Sequence, residues 1–276
     1  MIPPQNVSEA VYRREVAKRI GYCRQLVAAT QGMSHTVRLV VLSCKRPTEF
    51  ARLMESLRPL KVQERVYFNT LLVDNGSGRR LLEIAQDSVF FDAMALHDKN
   101  LGMGAAINDA LERYPAEFIL FIEDDLVLEK TDFLWACLSI FQEFQEVGIV
   151  KLKRKAAWDT MYPYRRIGPL QTTSTGVRFH PWLPSPRWSF RWGQRPWYPV
   201  GIHNCWSLGP VMFRWCAWKE NGPIPSGVGR GQAIAAEEVY ARTWNTKWLA
   251  AKPVDFAPFS QPVTPESPGF GDSVPC

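Results

Sequence analysis

Short apolar runs alternate with amphipathic stretches along the first half of this chain. Runs of about 4–8 residues rich in Val, Ile, Leu and Phe are typical of strands buried on both faces of a parallel sheet. Five such strands are predicted, at residues 36–43, 66–74, 91–96, 118–122 and 147–152. Because helical periodicity separates them, we expect an α/β fold with a mostly parallel central sheet and right-handed crossovers.

The predicted helices fill the spaces between these strands, at residues 47–57, 80–86, 100–113 and 131–143. Pro47 fits the first turn of its helix, where a missing N–H group costs nothing. One amphipathic helix, capped by Ser8, is predicted over residues 7–29 before the first strand. A further strand is predicted over 206–215 and a further helix over 233–248.

The pattern changes after Arg154. Residues 154–200 are rich in Arg, Trp, Tyr and Pro and hold no regular period, which predicts long loops laid over a scaffold. The Pro-rich end is expected to wrap the surface or to be mobile. We therefore predict four regions: an N-terminal helix in 1–35, a first half in 36–150, a second half in 151–252 and a tail in 253–276.

The composition limits the cellular compartment and the classes of binding partner that we expect. No apolar run approaches the roughly 20 residues that a membrane helix needs, and the N-terminus lacks the pattern of a secretory signal. Six scattered cysteines without C-x-x-C spacing fit a reducing cytosol better than a zinc site or a disulfide framework. A cytoplasmic protein without a transmembrane segment is expected. The net charge of +6 suits nucleotide diphosphates, nucleic acid or an anionic membrane surface without choosing among them.

Polar motifs follow four successive predicted elements. They are Ser43-Cys-Lys-Arg-Pro47, Asp74-Asn-Gly-Ser77, Asn100-Leu-Gly102 continuing to Asn108, and Glu123-Asp-Asp125. The carboxyl ends of parallel strands form the crevice where open α/β sheets bind ligands, so the motifs predict one site. Three adjacent acids repel one another unless a hard divalent cation or a hydrogen-bond network neutralises them. Taken singly, the acids also fit a solvated turn, and the asparagines fit turns and helix caps.

In this order, the motifs resemble the nucleotide-sugar-binding half of family 2 glycosyltransferases with a GT-A fold. The resemblance covers about residues 36–150. It implies a GT-A sheet flanked by helices, here with an N-terminal helix and a loop-rich acceptor half. It also implies a nucleotide-diphosphate sugar as donor, with a UDP-sugar expected. A sugar-nucleotide pyrophosphorylase is disfavoured because it would need a Gly-rich phosphate loop after the first strand.

The resemblance assigns the donor site to specific residues. Those implied to bind the donor are Ser43, Arg46, Pro47, Asp74, Asn75, Gly76, Ser77, Asn100, Gly102, Asn108, Glu123 and Asp124. Asp125, together with Asp124, is implied to ligate Mn²⁺ or Mg²⁺, which offsets the charge on the departing nucleoside diphosphate. Glycine lets the backbone approach the donor closely, and a helix that starts after Gly102 favours anionic groups at its N-terminus.

An acid pair in the second half resembles the base of inverting family members. These members carry Glu-Asp at a helix start, followed by Arg, and here Glu237-Glu238 precedes Arg242. Glu238 aligns with the carboxylate that takes the proton of the acceptor hydroxyl. The Glu-Glu form leaves open which of the two acts. The alternative is that both merely stabilise the first turn of a helix.

The acceptor is left open by the sequence. Candidate acceptor contacts are Trp188, Trp192, Trp197, His203 and Trp206. Aromatic faces stack on sugar rings, and saccharides, lipids and proteins are the commoner acceptors of this fold. Arginines interleaved with aromatics also suit a phosphate backbone, which would fit a glycosyltransferase acting on hydroxylated bases of DNA. Alternatively, several tryptophans belong to the core. A non-catalytic nucleotide-sugar-binding protein is a further alternative, disfavoured by the presence of the acid pair.

Overall fold

The structure is a computed structural model that describes most of the chain. The described residues are 5–29, 37–62, 68–152, 166–183, 191–192, 195–196, 206, 209–226, 239–241, 243–244 and 246–260. Within these ranges, eleven strands form one sheet with helices on both faces, and two further pairs of strands form small ladders. No helix in this part of the chain is long and apolar enough to cross a membrane.

The strands are short, with at most eight residues each. In chain order they are β1 (Gln5–Asn6), β2 (Val37–Ser43), β3 (Phe68–Asn75), β4 (Ala93–His97), β5 (Phe118–Glu123), β6 (Val127–Leu128), β7 (Val147–Lys151), β8 (Arg166–Ile167), β9 (Gln171–Thr172), β10 (Arg178–Leu183), β11 (Arg191–Trp192), β12 (Arg195–Pro196), β13 (Val211–Arg214), β14 (Leu249–Pro253) and β15 (Phe259–Ser260).

The helices lie between these strands. They are α1 (Glu9–Ala17), α2 (Ile20–Ala28), α3 (Pro47–Leu57), α4 (Arg79–Asp87), α5 (Met103–Arg113), α6 (Phe133–Glu143) and α7 (Trp215–Asn221), with a 3₁₀ turn at Arg58–Val62. The described residues in 239–247 are also helical. Strand and helix alternate from β2 to β7 as the sequence predicts, and α3 has its predicted bounds.

The strand order of the main sheet is β1-β8-β10-β14-β7-β13-β5-β2-β3-β4, with β9 paired to β10. Strands β4, β3, β2 and β5 are mutually parallel, and β13 lies antiparallel between β5 and β7. This order confirms the predicted mostly parallel central sheet. In register, Ser43 is level with Asp74 and Leu42 is level with Glu123, so the strand ends that carry the polar motifs meet at one edge.

Alternate residues of the buried strands feed two separate cores. On one face, Val37, Leu39 and Val41 of β2 pack with α3, α4 and α6. On the other face, Val40 and Leu42 pack with α5, α7 and a group of tryptophans. Fully burying one such side chain stabilises the fold by about 1.5–3 kcal/mol. Because β2 buries side chains on both faces of the sheet, it contributes to both cores.

The N-terminal segment differs from the single helix predicted over residues 7–29, because it forms two helices. Ser8 caps α1 as predicted, with its Oγ accepting from the Val11 N–H at 3.4 Å. The first helix then ends because the Arg19 side chain donates to the Glu15 carbonyl at 2.8 Å, and Arg19 N closes a tighter turn onto Val16. A side chain thus replaces the helical backbone donor, and the chain turns into α2.

The second half contains more regular structure than predicted. Strands β8 to β12 lie within or just beyond the stretch predicted as loops, and β10 pairs with both β8 and β14. The strand predicted over 206–215 is shorter, Val211–Arg214, and α7 follows it directly. Most of these strands are only two residues long, and β10 pairs with β14 about 70 positions away, so local periodicity does not reveal them.

The chain also returns to the first half near its end. Strand β15 pairs antiparallel with β6, and Phe259 is buried with its ring 5.4 Å from that of Phe133 on α6. Residues 253–260, predicted as the start of a surface tail, are therefore part of the fold. The rest of the predicted tail lies outside the described residues.

Candidate active site

The four predicted motifs are joined at the carboxyl edge formed by β2, β3 and β5. Ser43 Oγ donates to Asp124 Oδ2 at 2.6 Å, Lys45 N donates to Ser77 Oγ at 2.9 Å, and Asn75 Nδ2 donates to Asn100 Oδ1 at 2.9 Å. Each contact links the end of one strand with the loop that follows another element. The structure thus brings together residues that lie up to 81 positions apart in sequence.

Asp124 is the buried centre of this edge, with 0% of its side chain exposed. Besides Ser43, the Cys44 N–H donates to its carboxylate at 3.2 Å, and the Arg46 guanidinium lies 2.6 Å away. Burial raises the pKa of the Asp124 carboxyl to about 6, although the positive charge of Arg46 and the hydrogen bond from Ser43 oppose this rise. The carboxylate is therefore held in place by protein groups.

Asp125 lies next to this centre but is more open, with 20% of its side chain exposed. Arg46 reaches it as well, with Nη1 3.2 Å from Asp125 Oδ2. Glu123, at the end of β5, is half-buried. One guanidinium thus spans two of the three acids, which reduces their mutual repulsion in the absence of a ligand.

The acids at this edge are of the kind that bind a divalent metal ion whose other ligands come from a bound substrate. No group of three or more His, Cys, Asp and Glu side chains in the described part of the chain is arranged to hold an ion. Mg²⁺ is commonly bound by one or two carboxylates together with substrate phosphates, so the edge needs no all-protein cage. The carboxylates of Asp125 and Glu123 at this edge carry oxygens of the kind that such an ion binds.

The Asp74–Ser77 turn packs tightly against the loop before α5. Asp74 is buried, and its Oδ1 accepts from the Ser77 N–H at 3.0 Å. Gly76 has a φ of +81°, and a Cβ added there would lie 2.7 Å from the Lys99 carbonyl carbon. Glycine is therefore required at this position by backbone conformation and by close approach.

Two asparagine side chains shape the loop that leads into α5. Asn75 Oδ1 accepts from the Leu101 N–H at 2.9 Å, and Asn100 Oδ1 accepts from the Gly102 N–H at 2.7 Å. With the bond between the two amides, these contacts fix the loop where the backbone turns at Gly102 (φ +81°). The first turn of α5, whose N–H groups lack helical partners, follows directly.

Asn108 has different contacts from those expected of a donor ligand. Its Nδ2 donates to the Ile224 carbonyl at 2.7 Å and its Oδ1 accepts from the Ile224 N–H at 2.9 Å. Gly104, one turn earlier, lies against the same segment, since an added Cβ would be 2.4 Å from the Pro225 carbonyl oxygen. No local pattern indicates a role for Ile224, because its contact with α5 spans 116 residues.

Some of the other predicted site residues lie in the part of the chain that the structure describes, and the rest lie outside it. Pro47 is at the start of α3, and Trp192 is in β11 level with Arg195 of β12. Trp206 is fully buried, with ring centroids 4.6 Å from those of Tyr240 and Trp244. The ring therefore belongs to the core, contrary to the prediction that it contacts an acceptor. Residues outside the described part are Glu237, Glu238, Trp188, Trp197 and His203.

Solved structures of two other proteins share this fold. TarS 1-349 from S. aureus, solved in complex with UDP-GlcNAc, is similar with a TM-score of 0.55 and 16% identity, over 81% of this chain and 57% of that chain. The mannosyltransferase PcManGT from Pyrobaculum calidifontis, solved with GDP-Man and Mn²⁺, is similar with a TM-score of 0.54 and 13% identity, over 89% of this chain and 65% of that chain. This chain spans less than two thirds of either protein.

Sequence comparison identifies the family. No curated protein sequence matches this chain. The sequence model of glycosyl transferase family 2 matches residues 39–207, which include three of the strand ends at the candidate site and more than half of the chain. The fold agrees with this match, since the sheet is that of GT-A glycosyltransferases. The chain belongs to glycosyl transferase family 2.

Proposed function

We propose that this enzyme transfers a sugar from a nucleotide-diphosphate donor, with a UDP-sugar expected, to a hydroxyl group of a saccharide, lipid or protein. The observation that carries the proposal is the joined edge of β2, β3 and β5, where acids, amides and a tight glycine turn are held together by direct contacts. Support for the donor class comes from TarS and PcManGT, which share the fold and were solved with UDP-GlcNAc and GDP-Man.

We assign the predicted donor residues to separate tasks. Asp74 and Ser77 form the turn proposed to face the nucleoside, and the start of α5 after Gly102 is proposed to face the diphosphate. Asp125 would hold Mn²⁺ or Mg²⁺, with Glu123 beside it. When bound, the ion would offset the negative charge on the leaving nucleoside diphosphate. Asp124, predicted as a second ligand, is better suited to orienting Arg46 and the strand ends.

The proposed reaction inverts the donor's anomeric centre. The Glu238 carboxylate accepts the proton of the acceptor hydroxyl, and the hydroxyl oxygen forms a bond with the anomeric carbon. The bond from that carbon to the diphosphate oxygen breaks, and its electron pair leaves with the nucleoside diphosphate. Attack from the face opposite the leaving group gives inversion. The acceptor contacts proposed for this half remain Trp188, Trp192, Trp197 and His203.

The experiment that tests this proposal is nucleotide release and sugar transfer with a panel of nucleotide sugars, with Mn²⁺ or with a chelator. The acceptor panel contains saccharides, lipid-linked sugars, peptides and hydroxymethylated DNA, and mass spectrometry detects the transferred sugar. We expect Mn²⁺-dependent UDP release that one acceptor class stimulates. Transfer unaffected by the chelator would refute metal dependence, and transfer to DNA alone would replace the proposed acceptor class by DNA.

The matched variants Glu238→Gln and Glu237→Gln identify the base. The carboxamide of Gln has the same size as the carboxylate of Glu but cannot accept a proton near neutral pH. Glu238→Gln should bind UDP normally and lose transfer by about 10²–10⁴-fold, the usual share of general-base catalysis. Glu237→Gln should lose much less. The opposite ranking would assign the base to Glu237, and normal transfer by both variants would refute the acid pair as the source of the base.

A further inference from the structure

We infer that Asn108 is a positioning residue for sugar transfer, which acts by holding the segment 222–226 against α5 through a two-sided clamp formed with Gly104. This inference rests on the proposed function, and it assigns Asn108 a different task from the donor binding predicted for it. The segment 222–226 joins α7 to the stretch that carries Glu237 and Glu238.

The hydrogen bonds of Asn108 satisfy both backbone polar groups of one residue, Ile224. Its carboxamide both donates to and accepts from the backbone of Ile224, at 2.7 Å and 2.9 Å. Ile224 lies outside the regular strands and helices, and its side chain is buried in the same core cluster as Ala106 and Ile107 of α5. A loop backbone that is buried needs such a partner, because an unpaired buried polar group costs about 1–3 kcal/mol.

Gly104 completes the clamp by allowing close approach. A Cβ at this position would lie 2.4 Å from the Pro225 carbonyl oxygen and 3.1 Å from the Ile224 side chain. Its backbone conformation is helical, so glycine is not needed there for the helix itself. Gly104 is the second residue of α5, where other residue types fit the helical backbone equally well. The close approach of Pro225 is therefore what requires glycine at this position.

The clamp holds a described segment that precedes the proposed base in the sequence. The start of α5 is fixed to the donor edge through Asn100 and Gly102, and less than two turns of the same helix separate Gly102 from Asn108. On the other side, Glu237 follows Ser226 by eleven positions in the sequence. A rigid helix can thus set the position of the segment that leads to the base relative to the edge that binds the donor. A misplacement of about 1 Å can cost about 100-fold in rate.

The test compares Asn108→Ala and Gly104→Ala with the control Thr70→Val. Thr70 Oγ1 makes a similar pair of bonds with backbone, donating to the Phe90 carbonyl at 2.6 Å and accepting from the Asp92 N–H at 3.0 Å. These bonds lie at the other end of β3 from the donor edge. Three readouts are needed: the UDP affinity with Mn²⁺ by calorimetry, kcat and KM for transfer, and hydrogen exchange of the peptide covering 222–226.

Both clamp variants should lower kcat by about 10- to 100-fold, leave the UDP affinity within about 2-fold, and speed exchange in 222–226. Thr70→Val should change none of the three. Gly104→Ala is the sharper variant, since its higher helix propensity means that any loss comes from the contact with Pro225. A fall in UDP affinity that equals the fall in kcat/KM would overturn the inference in favour of donor binding by Asn108.

Normal kcat in either clamp variant would also overturn the inference, since both halves of the clamp are needed. The exchange readout separates this inference from the proposed function because it needs no donor. If the wild-type enzyme bound no UDP and released none, the proposed function would fail while faster exchange in Asn108→Ala would still establish the clamp. Unchanged exchange would refute the clamp whatever the enzyme transfers.

Discussion

The carboxyl edge of β2, β3 and β5 differs from the tryptophan face of the same sheet in how its polar groups are hydrogen-bonded. The tryptophan face consists of the buried residues Trp206, Trp218, Trp244 and Trp248. At the edge, Ser43, Asn75 and Ser77 each hydrogen-bond a group from another motif. On the face, the four indole N–H groups have no hydrogen-bond partner among the residues that the structure describes. The face stays assembled through ring packing.

The carboxylates and amides of the edge can exchange their hydrogen-bond partners for a ligand, whereas the packed indole rings of the face cannot. A ligand that arrives at the edge meets carboxylates and amides whose present contacts it can replace at little cost. The ring of Trp244 packs on those of Trp206 and Trp248, the ring of Trp218 packs on that of Trp215, and moving one of these buried rings would open a cavity. We therefore expect substitutions at the edge to change function with the fold intact, and substitutions on the face to change the fold first.

The largest effect is expected for Asp125→Ala. It should remove Mn²⁺-dependent turnover by about ten-thousandfold, or about 5 kcal/mol, because the proposed metal loses its protein ligand. Thermal unfolding should change little, since the side chain is partly exposed and its ion pair with Arg46 is near solvent. The control is Asp255→Ala, which removes another ion-paired aspartate, bound to Arg178, and should keep turnover. Full turnover by Asp125→Ala would refute the metal assignment.

The second effect is on stability. Trp206→Ala should lower the free energy of unfolding by about 3 kcal/mol or more, because it leaves a cavity beside Tyr240 and Trp244. The folded fraction should bind UDP as the wild type does, and Trp206→Phe should lose less stability. Urea unfolding and calorimetry measure both quantities. Selective loss of acceptor affinity without loss of stability would instead support the acceptor contact predicted from the sequence.

The smallest effect concerns a buried acid away from the edge. Burial raises the pKa of Glu146, whose Oε1 accepts from the Tyr12 hydroxyl at 3.4 Å. A raised pKa in the folded state means that Glu146 favours folding below the pKa of the unfolded chain, and that this contribution is lost as pH rises through the folded-state pKa. Glu146→Gln should therefore gain stability relative to wild type between pH 4 and pH 8, by less than about 1 kcal/mol.

Denaturant unfolding at both ends of that pH range measures this difference, with Glu143→Gln as the control. Glu143 is exposed and accepts from Ser174 at the surface. A difference that shrinks with rising pH would show that the charged form of Glu146 is stabilised in the fold. In that case Arg214, which is buried on the same face, would be the charge that compensates it.

The edge could be predicted from the sequence because its order is local. Each polar motif follows its own apolar strand directly, and parallel topology brings the strand ends together, so Ser43, Asp74 and Asp124 were expected at one edge. The contact of Asp124 with Arg46 and the tight packing at Gly76 add detail to a site whose location was already implied. The α/β class followed in the same way from alternating periodicities.

The face could not be predicted because its order is long-range. Trp206 and Trp244 are close only in the fold, and nothing in the local sequence distinguishes a core indole from one that stacks on a sugar. For the same reason Asn108 was expected at the donor, although the backbone that it binds lies 116 residues away. The strands β8 and β10 depend likewise on partners that the local pattern does not identify.

The pairing of β15 with β6 has a consequence for how this enzyme is made. Phe259 and Leu128 are about 130 residues apart, yet they are neighbours in a ladder beside α6. During synthesis, the first half emerges from the ribosome long before Phe259 is available to cover Phe133. The apolar side of α6 should therefore stay open to chaperones until residue 259 has been synthesised. A premature stop before residue 259 would leave this surface permanently exposed, and such a product would be recognised for degradation.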